Sequence, residues 1–318
     1  MRTRLVALVV ALLFVGTAAF AQPATGCPPP AQVPTGEQAR VGLRDARDHG
    51  FLWRLRKGGR DAYLYGTLHV ARPEWMYPGP TIAQALDASD TVAVELDLLD
   101  PDIVRRLSEG MLAQAGSAAV PVELRQRLEG RLAEECLPAQ ALASMSAELQ
   151  VITLMTLVGR RDGLDPSYGI DLFLSAWSRG QQKTVVSLET PELQLKALQS
   201  STPEEPAEFV RSSLDELDSG RARSLVLRLS QAWADGDIAE LESYERWCDC
   251  LKTDADRAAM ARLLDERNPG LAESIDALHG RGQRVFAAVG SLHMTGRNGL
   301  QALMAQRGFT VERIPLRR

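Results

Sequence analysis

Two of the chain's four histidines close the same four-residue phrase, Gly66-Thr67-Leu68-His69 near the start and Gly290-Ser291-Leu292-His293 near the end. Each phrase follows an apolar run, "AYLY" in the first case and "VFAAV" in the second. Each His is therefore expected just past a strand end, where open α/β sheets gather their ligands. A glycine there allows close backbone approach. Acidic residues stand at similar places: Glu95 and Asp97 at the end of "TVAVELD", and Glu189 at the end of "VVSLE", two residues before Pro191. Two neutral imidazoles with one or two carboxylates form a borderline-hard donor set that suits Zn, Mn or Co and leaves a position open for water. No short-range ligand spacing such as H-E-x-x-H accompanies them, so the set works only if the fold joins opposite ends of the chain.

Other chemistries find less support. His49, in charged "ARDHGF", and His279, before Gly280 where a helix ends, read as ordinary hydrogen-bonded residues. "VGSLH" resembles a nucleophile turn, but the G-x-S-x-G elbow is absent because Ser291 follows Gly290 directly. Neither G-x-G-x-x-G nor G-x-x-x-x-G-K-[ST] occurs, which argues against nucleotide-dependent chemistry.

The elements that must position these residues are legible in outline. A Pro-rich lead, "CPPPAQVPTGE", reads as an extended linker. "FLWRLRK" and "AYLYGTLH" are strand-like runs around "GGRD", a hairpin signal. "GPTIAQALDASD" reads as a helix and "TVAVELDL" as a buried strand. From Pro101 to about Arg179 the periodicity is helical, with Leu142, Met145, Leu149, Ile152 and Met155 three or four apart. "KTVVSLET" is a further buried strand, and Pro203 to Leu278 is again helical. "RVFAAVG", a helix over Asn298 to Gln306 and "TVERI" read as a closing β-α-β unit. The expected fold is α/β, in the α+β sense: a mixed central sheet built from the two ends of the chain, with a large helical middle that forms its own lobe.

The first 21 residues carry Arg2 and Arg4, an apolar run from Leu5 to Val15 and an Ala19-Phe20-Ala21 cleavage site, the pattern of a secretory signal peptide. The expected organisation is a signal over 1–21, an N-terminal segment over 22–48 and one domain over 49–318, mostly helical at 101–180 and 203–280. Localisation in the periplasm or outside the cell follows, with no membrane span after cleavage. The chain's net charge is -5, and losing Arg2 and Arg4 makes it more negative, so a nucleic-acid partner is not expected. Export makes disulfides the natural state of Cys27, Cys136, Cys248 and Cys250. Cys248 and Cys250 read as too close to bond each other, so each is expected to pair elsewhere, with Cys27 stapling the N-terminal segment to the body.

The stretches "FLWRLRKGGRDAYLYGTLHVARPEW", "ALDASDTVAVELD", "YGIDLFL", "VVSLETPELQL", "DERN" and "AAVGSLHMTGRNGLQALMAQRGFTVERI", in that order, resemble the TraB/GumN family, which includes the animal TIKI proteins. The paired G-x-x-H phrases are the most specific part of the likeness. The resemblance implies a fold akin to erythromycin-esterase-like and haem-binding ChaN-like proteins and, through TIKI, a metal-dependent peptidase favouring Mn or Co. It carries His69, Glu95 and His293 over as core residues, and matches Asp171 in "GID", Glu189 in "LET" and Arg267-Asn268 in "ERN". The expected function is an exported metal-dependent hydrolase acting on a peptide or protein. His69 and His293 hold the ion in this reading, and Glu95 completes the shell or serves as general base. Asp171 and Glu189 belong to the candidate metal set, as ligands or as partners that orient a ligand His. Arg267 and Asn268 are expected to bind a substrate carboxylate or an oxyanion. The alternative is a non-catalytic periplasmic binder of a peptide, haem or other small ligand.

Overall fold

Phe51–Lys57 (β1) and Arg60–Thr67 (β2) pair antiparallel across Gly58-Gly59. Both glycines have positive φ, 59° and 75°, the backbone that a tight hairpin matching strand twist requires. Thr91–Val94 (β3), Thr184–Ser187 (β4), Val285–Gly290 (β5) and Thr310–Ile314 (β6) complete a six-stranded sheet of order β4-β3-β5-β2-β1-β6 in this computed structural model, which describes residues 26–113, 120–200 and 205–317. β2, β5, β3 and β4 run parallel, and β1 runs antiparallel to its neighbours β2 and β6.

The sheet is therefore mixed and joins the two ends of the chain, as the strand pattern predicts. Thr67 faces Gly290 in the β2–β5 register, so the two histidine phrases emerge from adjacent parallel strands. One expectation changes. β6 does not lie beside β5; it crosses two strands to the far edge and pairs with β1. The run "TVERI" has no buried residue, only exposed and part-buried ones, which suits an edge better than an interior position.

The helices are Gly36–Asp45 (α1), Pro80–Asp87 (α2), Pro101–Ala113 (α3), Val122–Glu134 (α4), Ala147–Leu157 (α5), Ile170–Gly180 (α6), Pro191–Ala197 (α7), Glu205–Asp218 (α8), Arg221–Ala234 (α9), Ile238–Glu242 (α10), Tyr244–Trp247 (α11), Asp254–Leu263 (α12), Asn268–Gly280 (α13) and Leu300–Gln306 (α14). Their starts follow local chemistry. Thr35 and Gln38 form a capping box at α1, Ser146 caps α5, and Thr190 caps α7 ahead of Pro191. The N-terminal segment is thus not extended throughout, since the capping box sets a helix where the proline run ends.

Two apolar clusters result. One packs both sheet faces around Phe51, Leu64, Val92, Phe286, Ile275 and Trp233. The other joins α4, α5, α8 and the start of α9 through Leu124, Leu128, Leu154, Val210, Leu214 and Ala222. Cys27 bonds Cys136 and so ties the N-terminal segment to the helical part. Cys248 and Cys250, expected to pair elsewhere, bond each other. Asp249 takes a left-handed φ of 55°, and this reversal brings the two Cα atoms to 5.0 Å. Among the described residues no helix is long and apolar enough to cross a membrane. The signal-peptide reading falls on residues outside those described.

Candidate functional site

The parallel strands β2, β3, β4 and β5 all end on one edge of the sheet. Just beyond those ends stand His69, Glu95, Glu189 and His293. Glu95 is the meeting point. Its Oε1 lies 3.6 Å from His69 Nε2, and its Oε2 lies 3.9 Å from His293 Nε2. The Gly290 N–H donates to Oε1 at 2.7 Å, and Arg267 Nη2 donates to Oε2 at 2.6 Å. Gly290 makes this packing possible, because a Cβ there would stand 3.1 Å from Glu95 Oε1 and 3.4 Å from His69 Nε2.

Each imidazole is fixed through its other nitrogen. His69 Nδ1 lies 2.8 Å from Asp171 Oδ2, and Thr67 Oγ1 donates to Asp171 Oδ1 at 2.6 Å. Asp171 sits in the first turn of α6, and that turn is tied to the His69 loop by the Ile170 N–H donating to the Leu68 carbonyl. His293 Nδ1 lies 2.6 Å from Asn268 Oδ1, while Asn268 Nδ2 donates to the Asn298 carbonyl at 2.8 Å. A carboxylate and an amide oxygen only accept, so both Nδ1 atoms carry hydrogen and both Nε2 atoms face Glu95.

The electrostatics separate the two histidines. Burial disfavours charge on His293, more than nearby Glu95 favours it, and holds it down at about 4. Its Nε2 is a free lone pair near neutrality. His69 also has protein packed round it, which opposes its charge, yet Asp171 and Glu95 outweigh that and raise it to about 9. Its side chain is 61% exposed, and its Nδ1 stands 2.8 Å from the Asp171 carboxylate. Burial opposes the Glu95 carboxylate, but His293, His69, Arg267 and the Gly290 N–H together hold it down at about 2.

Several predicted residues sit elsewhere than their expected roles require. Glu189 does not touch either His; its carboxylate clamps Arg267, which thereby spans two carboxylates and also donates to the Leu263 carbonyl. Arg267 thus commits four of its five N–H donors to protein partners, and Asn268 is buried with its amide engaged at both ends. Asp97 lies outside the cluster, paired with Arg179. Gln194, whose Nε2 lies 3.4 Å from Glu95 Oε2, gave no signal in the sequence. Thr67 was inside the first phrase and could have been read as a support. Trp233 also supports that phrase, donating from Nε1 to the Gly66 carbonyl at 2.7 Å, over 167 residues of separation that no local pattern reveals.

The donor set fits a divalent ion in kind. Two imidazoles present Nε2 with Nδ1 already held by an acceptor, beside a carboxylate that is itself hydrogen-bonded. Among the described residues, however, no three His, Cys, Asp or Glu side chains already stand in an arrangement that encloses an ion. The His69 proton and the contacts of 3.6 and 3.9 Å place the donors around Glu95 rather than around a common centre.

A model of the TraB/PrgY/gumN family matches residues 51–313. The protein named Metalloprotease TIKI1 from Danio rerio is 24% identical, with the match covering 84% of this chain and 63% of the relative, so the chain spans under two thirds of that protein's length. No solved structure matches the chain.

Proposed function

Because the chain belongs to the TraB/PrgY/gumN family, we propose that it is a metal-dependent hydrolase of peptide bonds that works outside the cytoplasm. The observation that carries this reading is the convergence of the two phrase histidines on one buried carboxylate from adjacent strand ends. The relative named a metalloprotease points the same way. Two disulfides and no free cysteine among the described residues support an oxidising compartment.

His69, His293 and Glu95 hold the ion in this reading, and Mn, Co and Zn are its candidates. A bound divalent ion would polarise the scissile carbonyl and make water a stronger nucleophile near neutral pH. The chain's own residues do the rest. Asp171 and Asn268 hold the two rings with Nε2 pointing at the reaction space. Arg267, backed by Glu189, fixes the Glu95 carboxylate and balances buried negative charge. A carboxyl held at about 2 accepts protons poorly at neutral pH, so holding suits Glu95 better than general-base work. His69, on the open side, is where the substrate enters.

Purified protein supplied with Mn, Co or Zn is expected to cleave unstructured peptides, and His69→Ala and His293→Ala each to lose both bound metal and cleavage. A wild-type protein that stays inert under all three ions would leave the non-catalytic binder of a peptide, haem or other small ligand as the better account.

A further inference from the structure

Both disulfides involve a residue with left-handed backbone just after a helix, Cys136 after α4 and Asp249 after α11, each with φ 55°. What holds that backbone differs. At α4 the Cys136 N–H donates to the Ala133 carbonyl and the Leu137 N–H to the Leu132 carbonyl, the pair of bonds that caps a helix end. Arg161 then spans the Cys27–Cys136 bridge, donating to the Gly26 carbonyl on one side and to the Glu134 carbonyl on the other. The fold thus keeps these two sulfurs neighbours with or without the bond, a high effective concentration that resists reduction.

The Cys248–Cys250 turn has no such frame. The Cys248 N–H closes α11 on the Tyr244 carbonyl, and Thr253 begins α12. Among the described residues neither capping bond forms between them: the Asp249 N–H finds no acceptor, and the Cys250 N–H donates to Cys248 Sγ at 3.1 Å, inside the ring itself. Asp249 is exposed, and its carboxylate pairs only with Lys252 of the same turn. The bridge therefore imposes the left-handed backbone, which disfavours a residue carrying a Cβ. Opening it lets Asp249 relax and the sulfurs part, at little cost to the fold because the separation is only 2 residues.

We propose that Cys248–Cys250 is a thiol–disulfide exchange site that takes two electrons from a pair of external thiols and returns them as a disulfide, and that Cys27–Cys136 is a structural bridge. The two sulfurs have distinct parts. Cys248 is 9% exposed and Cys250 is more open, so an incoming thiolate reaches Cys250. Attack there forms the new S–S bond, breaks the old one and leaves the electron pair on Cys248 Sγ, toward which the Cys250 N–H already points. The second external thiolate then attacks the partner's sulfur in the mixed disulfide. Cys250 leaves as a thiolate, the external sulfurs are joined, and both cysteines are reduced. This chemistry is independent of the hydrolase reading and needs no bound ion.

The full chain, equilibrated in glutathione buffers, quenched with acid and alkylated, reports each pair by peptide mass. Cys248–Cys250 is expected to be half reduced at a ratio of squared reduced to oxidised glutathione at least about a hundredfold below that for Cys27–Cys136. The melting temperature should stay near that of the oxidised protein while only this pair is open. In single variants, the Cys250 thiol of Cys248→Ser should form a mixed disulfide with oxidised glutathione at least about tenfold faster than the Cys248 thiol of Cys250→Ser. If either variant fails to fold, the wild-type titration decides alone. Opening of the two pairs together or in the reverse order, opening only with loss of the helical signal, or a Cys248 thiol as fast as Cys250 would overturn the assignment.

Discussion

Glu95 sits between two imidazoles and a guanidinium, and its acidity decides what a substitution there reports. With the carboxyl at about 2, Glu95→Gln is expected to lower metal occupancy and cleavage together, each by a factor on the order of 10². Metal content that survives while turnover falls 10² to 10⁴-fold would make Glu95 a general base instead. His69 adds a pH dependence. In the metal-free protein its pKa is raised from 6.5 to about 9, so the charged ring contributes stability that is complete below 6.5 and is lost as pH rises through about 9. An ion must displace that proton, so apparent metal affinity should rise between pH 6.5 and 9, by at most about tenfold per pH unit, with release of a proton. Titrations in buffers of different ionisation enthalpy would read the released proton, and an affinity flat over that range would contradict the assignment. The residue types made His69, Glu95 and His293 legible early. The roles of Arg267, Asn268 and Glu189 were not, because they depend on who occupies each donor and acceptor, and the partners lie up to 172 residues away.

At the scale of elements, the site exists because strands β2, β3, β4 and β5 end at one level. Hydrophobic periodicity revealed those strands, since each is a short apolar run ending in a polar residue. It could not reveal their order, which sets which ends are neighbours. Gly290 is a tight point of that arrangement. Gly290→Ala should keep the strand but push its methyl toward Glu95 Oε1, which a Cβ would meet at 3.1 Å, at a cost of about 1–3 kcal/mol in stability. Cleavage should fall at least about tenfold, since misplacement of catalytic groups by 1 Å can cost far more. Thermal melts beside activity assays check this, and full activity in Gly290→Ala would mean that the Glu95 contact is not part of the working site.

For the whole molecule, the two disulfides act at different ranges. Cys27–Cys136 closes 109 residues of chain, and in the chain-entropy account Cys27→Ser with Cys136→Ser should cost about 3–5 kcal/mol. Cys248→Ser with Cys250→Ser opens a separation of only 2 residues and should cost much less. Denaturant unfolding of the two double variants would compare them, and equal losses would count against the loop-length argument. The sequence by itself determined the mixed α/β class, the hairpin, the helical middle and the three residue types that could bind an ion. Those follow from local turns, from periodicity and from side-chain chemistry, all of which act over a few residues. The tertiary structure alone decided that β5 inserts between β2 and β3, that β6 goes to the far edge, and that Cys248 closes on Cys250 through the left-handed turn at Asp249. It also decided that Arg267 is spent on two carboxylates. The physical reason is common to all four: neighbours in space are chosen by packing and by competition for hydrogen bonds, and neither is written in the spacing of residues along the chain.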